Sequence, residues 1–265
     1  MSSDYYNKVK TYYDKDSVAF EKRYHENSTL KRIRKSFRKE TEKYFFNNIL
    51  EIGFGPGFDI EYFARKFPEK EVYGIDISDG MKNIAMQTMY NEGIKNVSLA
   101  VGSVEDVKKR FADTQFDMII VYFGALNTVE NIEEIQEHLL KILSPTGNMT
   151  LTFVNKWYLM AIIKPLIKLK FSTAFKRLRK VWGGYSPTQF LPSKCYSSME
   201  IKRYFDKFRI IEKRGYSILY PAWYENRITQ KFPNLVERLW KMDKLLQRTP
   251  FWNFGEYSLY VFKRK

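Results

Sequence analysis

Cysteine is nearly absent from this chain of 265 residues, where Cys195 stands alone. A single thiol closes no internal disulfide and builds no cysteine metal cluster, and it suits a reducing compartment. Histidine is almost as scarce, with only His25 and His138, so no clustered metal-ligand set is legible. No apolar run approaches the ~20 residues of a membrane span. The opening Met-Ser-Ser-Asp-Tyr-Tyr has no apolar signal region either. The expectation is a cytoplasmic protein without metal. Acidic residues are also missing, but only from parts of the chain. Residues 48–155 hold nine Lys/Arg against sixteen Asp/Glu, a net of −7, whereas residues 1–47 and 156–265 together carry +22. The basic surface therefore belongs to what surrounds the middle segment.

That middle segment opens with Asn48-Ile-Leu-Glu-Ile-Gly-Phe-Gly-Pro-Gly-Phe58. Ile49, Leu50 and Ile52 form the short apolar run of a buried parallel strand. Glycines at 53, 55 and 57 then turn the chain into a helix-like stretch beginning Asp59-Ile-Glu-Tyr-Phe. Glycines at a strand-to-helix turn let the backbone bend sharply and approach a ligand closely. A dinucleotide fingerprint requires G-x-G-x-x-G with a phosphate on the helix N-terminus. Here the third glycine comes one residue early, and Phe58 fills the position that should be small. Glu51, shortly before Gly53, is a poor neighbour for a diphosphate and a good one for a cation.

The stretch Glu51-Ile-Gly-Phe-Gly-Pro-Gly57 resembles motif I of the class I S-adenosylmethionine-dependent methyltransferases, whose cofactor bears an ammonium and a sulfonium but no phosphate. The resemblance implies S-adenosylmethionine as cofactor and places Glu51, Gly53, Phe54, Gly55 and Gly57 around it. Downstream, Glu71-Val-Tyr-Gly-Ile-Asp-Ile reads as a second strand ending in Asp76. An acid there accepts the ribose hydroxyls in doubly wound folds, and its offset of 23 residues from Gly53 is close to the expected ~20. The family pattern further implies that Ile77 and Met81 flank the adenine. It usually places an Asp after Gly102, where this chain has Ser103, so the backbone of Val104, or Glu105, stands in for it. At the fourth strand, Phe116-Asp-Met-Ile-Ile-Val-Tyr-Phe-Gly-Ala-Leu-Asn, the resemblance implies that Tyr122 and Phe123 border the methionine half and that Asn127 faces the acceptor. A ring beside a sulfonium gains cation–π stabilisation. An (Asn/Tyr)-Pro-Pro signature, the mark of nucleobase amino methylation in this family, is absent.

The flanks read as helical. Residues 1–47 form a cap whose aromatic segment, with Tyr13 and Tyr24, resembles the family's lid. A second helix there has Ser28 as its N-cap, with Lys31, Arg32, Arg34, Lys35, Arg38 and Lys39 on a solvated side. The segment from Lys156 to Trp182 has eight Lys/Arg and no acid, and apolar residues recur every three or four positions. Such a basic amphipathic helix suits either a lid over the acceptor pocket or an anionic membrane surface. Tyr185, Cys195 and Tyr196 are placed at the pocket edge. The fold expected is α/β: a doubly wound, seven-stranded, mostly parallel sheet whose last strand is antiparallel, with a helical N-terminal cap and helical insertions. Its parts are the cap (1–47), the cofactor core (48–155) and the closing strands with basic insertions (156–265).

The function expected is methyl transfer to a small anionic or amphiphilic acceptor, a lipid-linked one included. Three rival readings are an RNA methyltransferase using the basic cap, a non-catalytic S-adenosylmethionine-binding protein, and a nicotinamide dehydrogenase, which Glu51 and Phe58 disfavour. His25, Asn127 and Tyr220 are the catalytic candidates, should the acceptor need to lose a proton.

Overall fold

The computed structural model describes residues 3–112, 114–184 and 190–265. Two helices come first, α1 (Ser3–His25) and α2 (Ser28–Thr41), followed by β1 (Asn48–Ile52), α3 (Phe58–Lys66), β2 (Glu71–Asp76), α4 (Asp79–Asn91) and β3 (Val97–Val101). Next come α5 (Val107–Phe111), β4 (Phe116–Val121), α6 (Ile132–Ile142) and β5 (Leu143–Val154). After these lie α7 (Leu159–Ile167), α8 (Phe171–Ala174), α9 (Ser198–Tyr204), β6 (Phe208–Tyr216), α10 (Asn226–Lys231), α11 (Pro233–Leu246) and β7 (Tyr257–Arg264).

The seven strands form one sheet in the order β3-β2-β1-β4-β5-β7-β6. Pairs among β1 to β5 are parallel, and β7 runs antiparallel to both β5 and β6. This is the doubly wound sheet expected, with its reversed last strand. Side chains alternate faces along each strand, and that alternation divides the core in two. Leu50, Ile119, Val121 and Leu151 pack with Ile135, Leu139 of α6 and Ile201 of α9 on one face. Ile49, Met118 and Ile120 meet Ile33 and Phe37 of α2 with Ile60 and Phe63 of α3 on the other. The central strands are buried on both faces, which is why they read as nearly unbroken apolar runs. Strand order reverses between β1 and β4, so a crevice opens beyond their carboxyl ends.

Three local expectations are corrected. The cap of α2 is Asn27, not Ser28: its side chain accepts a hydrogen bond from the Leu30 amide at 3.0 Å. Arg34 and Arg38 do not share a solvated face. Both turn inward to Asp59, which is fully buried, with Arg38 Nε 2.5 Å from its carboxylate. The periodic segment 156–182 is not one helix. Pro165 lies inside α7, and the chain turns at Leu169 before α8, so a single amphipathic stripe never forms.

Candidate functional site

A cavity of about 510 Å³ occupies the crevice above β1, β2 and β4. Its floor is made by the glycine turn. Gly53, Gly55 and Gly57 all have positive φ, at 74°, 55° and 86°. A Cβ on Gly53 would lie 2.6 Å from the Ala125 Cβ, whereas one on Gly55 would meet nothing within 4 Å. Gly53 therefore closes the floor against the 125–128 turn, while Gly55 leaves room over the loop. Gly57 does a different job: a Cβ there would lie 2.8 Å from the Ala85 Cβ, so its bareness lets α3 pack on α4, outside the cavity lining.

Asp76, at the end of β2, is tied to this turn. Its Oδ2 accepts the Gly55 amide at 2.8 Å and its Oδ1 the Ser78 amide at 2.9 Å. Burial pushes its carboxyl up to about 6 from the ordinary 3.8, against the opposing pull of those amide donors. Glu51 lies deeper. It is 2% exposed, and its Oε2 has no hydrogen-bond partner among the described residues. Burial, with the nearby Asp59 charge second, holds it well above the ordinary carboxylate value, although Arg34 and Arg38 oppose this. A buried, half-satisfied carboxylate costs stability unless something cationic meets it.

One wall carries Ile77, Met81, Ser103 and Val104. Ser103 begins a capping box with Asp106 and donates from Oγ to Glu105 at 2.8 Å. Glu105 also accepts the Tyr6 hydroxyl at 3.1 Å and lies outside the lining, so of the two stand-ins only Val104 reaches the cavity. Across from this wall stand Phe54, Tyr122 and Phe123. The Tyr122 hydroxyl is hydrogen-bonded to Thr41 Oγ1 at 2.6 Å. Phe123 holds φ at 52°, a left-handed conformation that a phenylalanine rarely adopts. Its ring lies 4.7 Å from the Arg34 guanidinium and 5.5 Å from the Tyr257 ring.

The roof comes from α1, α2 and later loops: Tyr6, Tyr12, Tyr13, Phe20, Tyr24, Arg34, Leu191 and Trp223. Tyr24 stacks on Phe58 at 4.1 Å, which explains the large residue after the third glycine. Asp14 fastens α1 down. Its Oδ1 accepts from Ser78 Oγ at 2.6 Å and from the Gly80 amide at 3.2 Å, and Lys10 pairs with it and with Asp79. Arg34 is buried between the rings of Tyr24 and Phe123, and its Nε has no partner among the described residues.

The three catalytic candidates are not brought into this cavity. His25 packs on the rings of Tyr24 and Phe58, 5.5 Å from each. Asn127 is 1% exposed, and its side chain is spent on backbone: Nδ2 donates to Lys194 O at 2.5 Å and Oδ1 accepts the Val154 amide at 3.0 Å. Tyr220 is buried against Trp240 at 5.0 Å. Cys195 and Tyr196 sit in the core, where burial pushes the Cys195 thiol up to about 12. Tyr185 lies outside the described residues. Arg34, Asp59, Asp14, Leu191 and Trp223 went unread in the sequence. Only the Arg34–Arg38 spacing, one helical turn on a chain rich in cations, carried a signal for any of them.

Residues 49–147 match the model of a family described as a methyltransferase domain. The match runs from β1 through the glycine turn and Asp76 to β5. The matched segment is a methyltransferase domain, and its sheet has the class I S-adenosylmethionine-dependent methyltransferase fold. A malonyl-[acyl-carrier protein] O-methyltransferase of Priestia megaterium is 32% identical over 120 residues, covering 42% of this chain and 39% of that protein. A demethylmenaquinone methyltransferase of Bacteroides fragilis is 24% identical over 174 residues, 64% of this chain and 67% of its own. The chain thus spans less than half the length of the first of these relatives. In fold it is similar to an S-adenosylmethionine-dependent methyltransferase of Clostridium acetobutylicum, with a TM-score of 0.56 at 13% identity over 86% of this chain and 89% of that one. The family's cofactor fits the cavity on two counts. The unpartnered Glu51 oxygen suits its ammonium, and the open space over Gly55 beside Asp76 suits a ribose.

Proposed function

We propose that this methyltransferase acts on an acceptor with an apolar body and an anionic group, such as a carboxylate on an acyl chain. The observation that carries the reading is Arg34. A buried guanidinium with an unused Nε–H, set among aromatic rings on a cavity wall, is a receptor for an anion on an apolar carrier. It lines the same cavity as the Glu51 and Asp76 carboxylates of the floor. The name of the relative from Priestia megaterium agrees with this, since a malonyl group is itself an acid.

S-adenosylmethionine, when bound, supplies the methyl group as an activated sulfonium. The chain's task is to orient both partners and keep water out. In this reading Glu51 neutralises the cofactor's ammonium and Asp76, held by the Gly55 and Ser78 amides, accepts the ribose hydroxyls. Ile77, Met81 and Val104 flank the adenine. Tyr122 and Phe123 present ring faces toward the sulfonium. Tyr13, Tyr24 and Phe20 of the roof exclude solvent, and Arg34 aligns the acceptor oxygen. A carboxylate is already a nucleophile, so it needs no general base. That removes the demand His25, Asn127 and Tyr220 were chosen to meet.

The test is an acceptor screen read by S-adenosylhomocysteine release and product mass. Long-chain acids and a malonyl thioester are expected to be methylated, while their neutral esters are not. Arg34→Lys keeps a charge beside Asp59 but lacks Nε, and should raise KM for the acid about tenfold with little change in cofactor affinity. Methylation of esters and acids alike would overturn the reading.

A further inference from the structure

The most apolar helix of the chain, α7, has no buried residue. Its sequence is Leu-Met-Ala-Ile-Ile-Lys-Pro-Leu-Ile, with Lys164 as the one polar side chain. Burial of such a helix is the usual source of its stability, so an apolar helix whose residues are at most half-buried calls for a further explanation. The segment is tied down at mid-helix by the Lys164–Glu225 ion pair, in α8 by the buried Ala174, and at its two ends. Tyr158 is buried before it, and after it Arg177 lies 5.0 Å over the rings of both Tyr158 and Trp182 and donates to the Asn155 carbonyl at 3.1 Å. Between those anchors Ile167, Leu169 and Phe171 are 77%, 76% and 59% exposed.

Leu169 is the decisive residue. α7 ends in a Schellman arrangement, with the Lys170 amide donating to Pro165 O at 2.8 Å and the Leu169 amide to Leu166 O at 2.9 Å. That geometry needs a left-handed residue and ordinarily takes glycine. Here Leu169 holds φ at 56°. A leucine is strained in that conformation, and an exposed one gains nothing back from the core. Its side chain is useful only against something outside the fold. In sequence it is flanked by Lys168 and Lys170, with Lys176, Arg179 and Lys180 further on and no acid anywhere between Lys156 and Trp182.

We infer that residues 159–181 form a membrane-docking face, which inserts Ile167, Leu169 and Phe171 among the acyl chains of an anionic phospholipid bilayer while the surrounding lysines meet its headgroups. Charge complementarity selects this occupant: a second copy of the chain would bring the same cations to the same place, and like charges would oppose the contact. None of the described helices is long and apolar enough to cross a membrane, so the contact is peripheral. The segment lies close to the site, since Gly183, just past the face, accepts the amide of Leu191 on the cavity wall at 3.4 Å. The inference does not rest on the proposed acceptor, because vesicle binding is read without cofactor or substrate.

The full chain is to be mixed with vesicles of phosphatidylcholine alone and of phosphatidylcholine containing about one third phosphatidylglycerol, and sedimented. Binding is expected to the anionic vesicles and to fall steeply with added salt. Leu169→Gly is the sharpest variant: it relieves the backbone, leaves Tm within a few degrees of wild type, and should weaken partitioning about tenfold. Lys168→Glu with Lys170→Glu should weaken it at least as far. Equal binding to both vesicle types, no binding to either, or unchanged partitioning of a folded Leu169→Gly variant would each overturn the proposal. So would concentration-dependent dimerisation that Leu169→Gly abolishes, since the face would then belong to a second copy.

Discussion

The floor and the roof of the cavity are built by different means. On the floor, backbone makes the site: three left-handed glycines, the Gly55 amide on Asp76, and the close meeting of Gly53 with Ala125. On the roof, side chains do so: rings from α1 and Trp223, and Arg34 of α2 held by Asp59 and the faces of Tyr24 and Phe123. A site made of backbone tolerates few alternatives and suits a ligand that never changes. One made of side chains can be recast residue by residue. The floor faces the cofactor in the reading given above, and the roof faces the acceptor.

The two halves are joined at Asp59, and breaking that joint should have the largest effect. Asp59→Ala leaves the buried Arg34 and Arg38 guanidiniums without their carboxylate, and a loss of about 3–5 kcal/mol of unfolding free energy is expected in denaturant titration. Next comes the floor alone. Gly53→Ala must take a left-handed conformation and press on Ala125. A loss of roughly 1–2 kcal/mol is expected, together with a calorimetric affinity for S-adenosylmethionine reduced tenfold or more. Acceptor KM, extrapolated to saturating cofactor, should change little if floor and roof are separable.

The pH dependence sharpens the same division. Asp76 is raised to about 6 by burial, and hydroxyl donors of a ligand favour its ionised form. Binding then releases a proton near that value, so affinity is full above it and lost below it. Cofactor affinity should fall roughly tenfold from pH 7 to pH 5, and Asp76→Asn should bind more weakly at pH 7 but with a flatter profile. The smallest effect is expected on the roof. Asp14→Ala removes the contacts to Ser78 and Gly80 and should weaken cofactor binding only a few-fold, with no change in the Tm of the core.

The same division explains how much the sequence disclosed. The sheet and the floor were legible because each is dictated by a local rule: apolar runs for buried strands, glycine where φ is positive, an acid at the end of β2; the reversed last strand was implied only by the family resemblance. The roof was not. Whether Arg34 faces water or Asp59 depends on a partner from another helix, which helical spacing cannot report. Asn127 looked free to face a substrate because nothing local foretold that Val154 and Lys194 would occupy its carboxamide. The broken segment 159–178 kept a helical rhythm straight through Pro165 and Leu169, since periodicity records faces and not backbone strain.

The fastening of α1 has a kinetic consequence. Asp14 gathers the polar contacts that hold this wall of the cavity to β2 and α4, and two of its neighbours, Lys10 and Asp79, are joined by an ion pair open to solvent. A wall whose polar contacts to the start of α4 gather at one aspartate swings rather than dissolves. Ligand exchange should accordingly quicken with ionic strength, both on-rate and off-rate rising in stopped-flow traces, while their ratio moves far less. The protein would then regulate the traffic of its ligand, and not only its affinity, through a single aspartate.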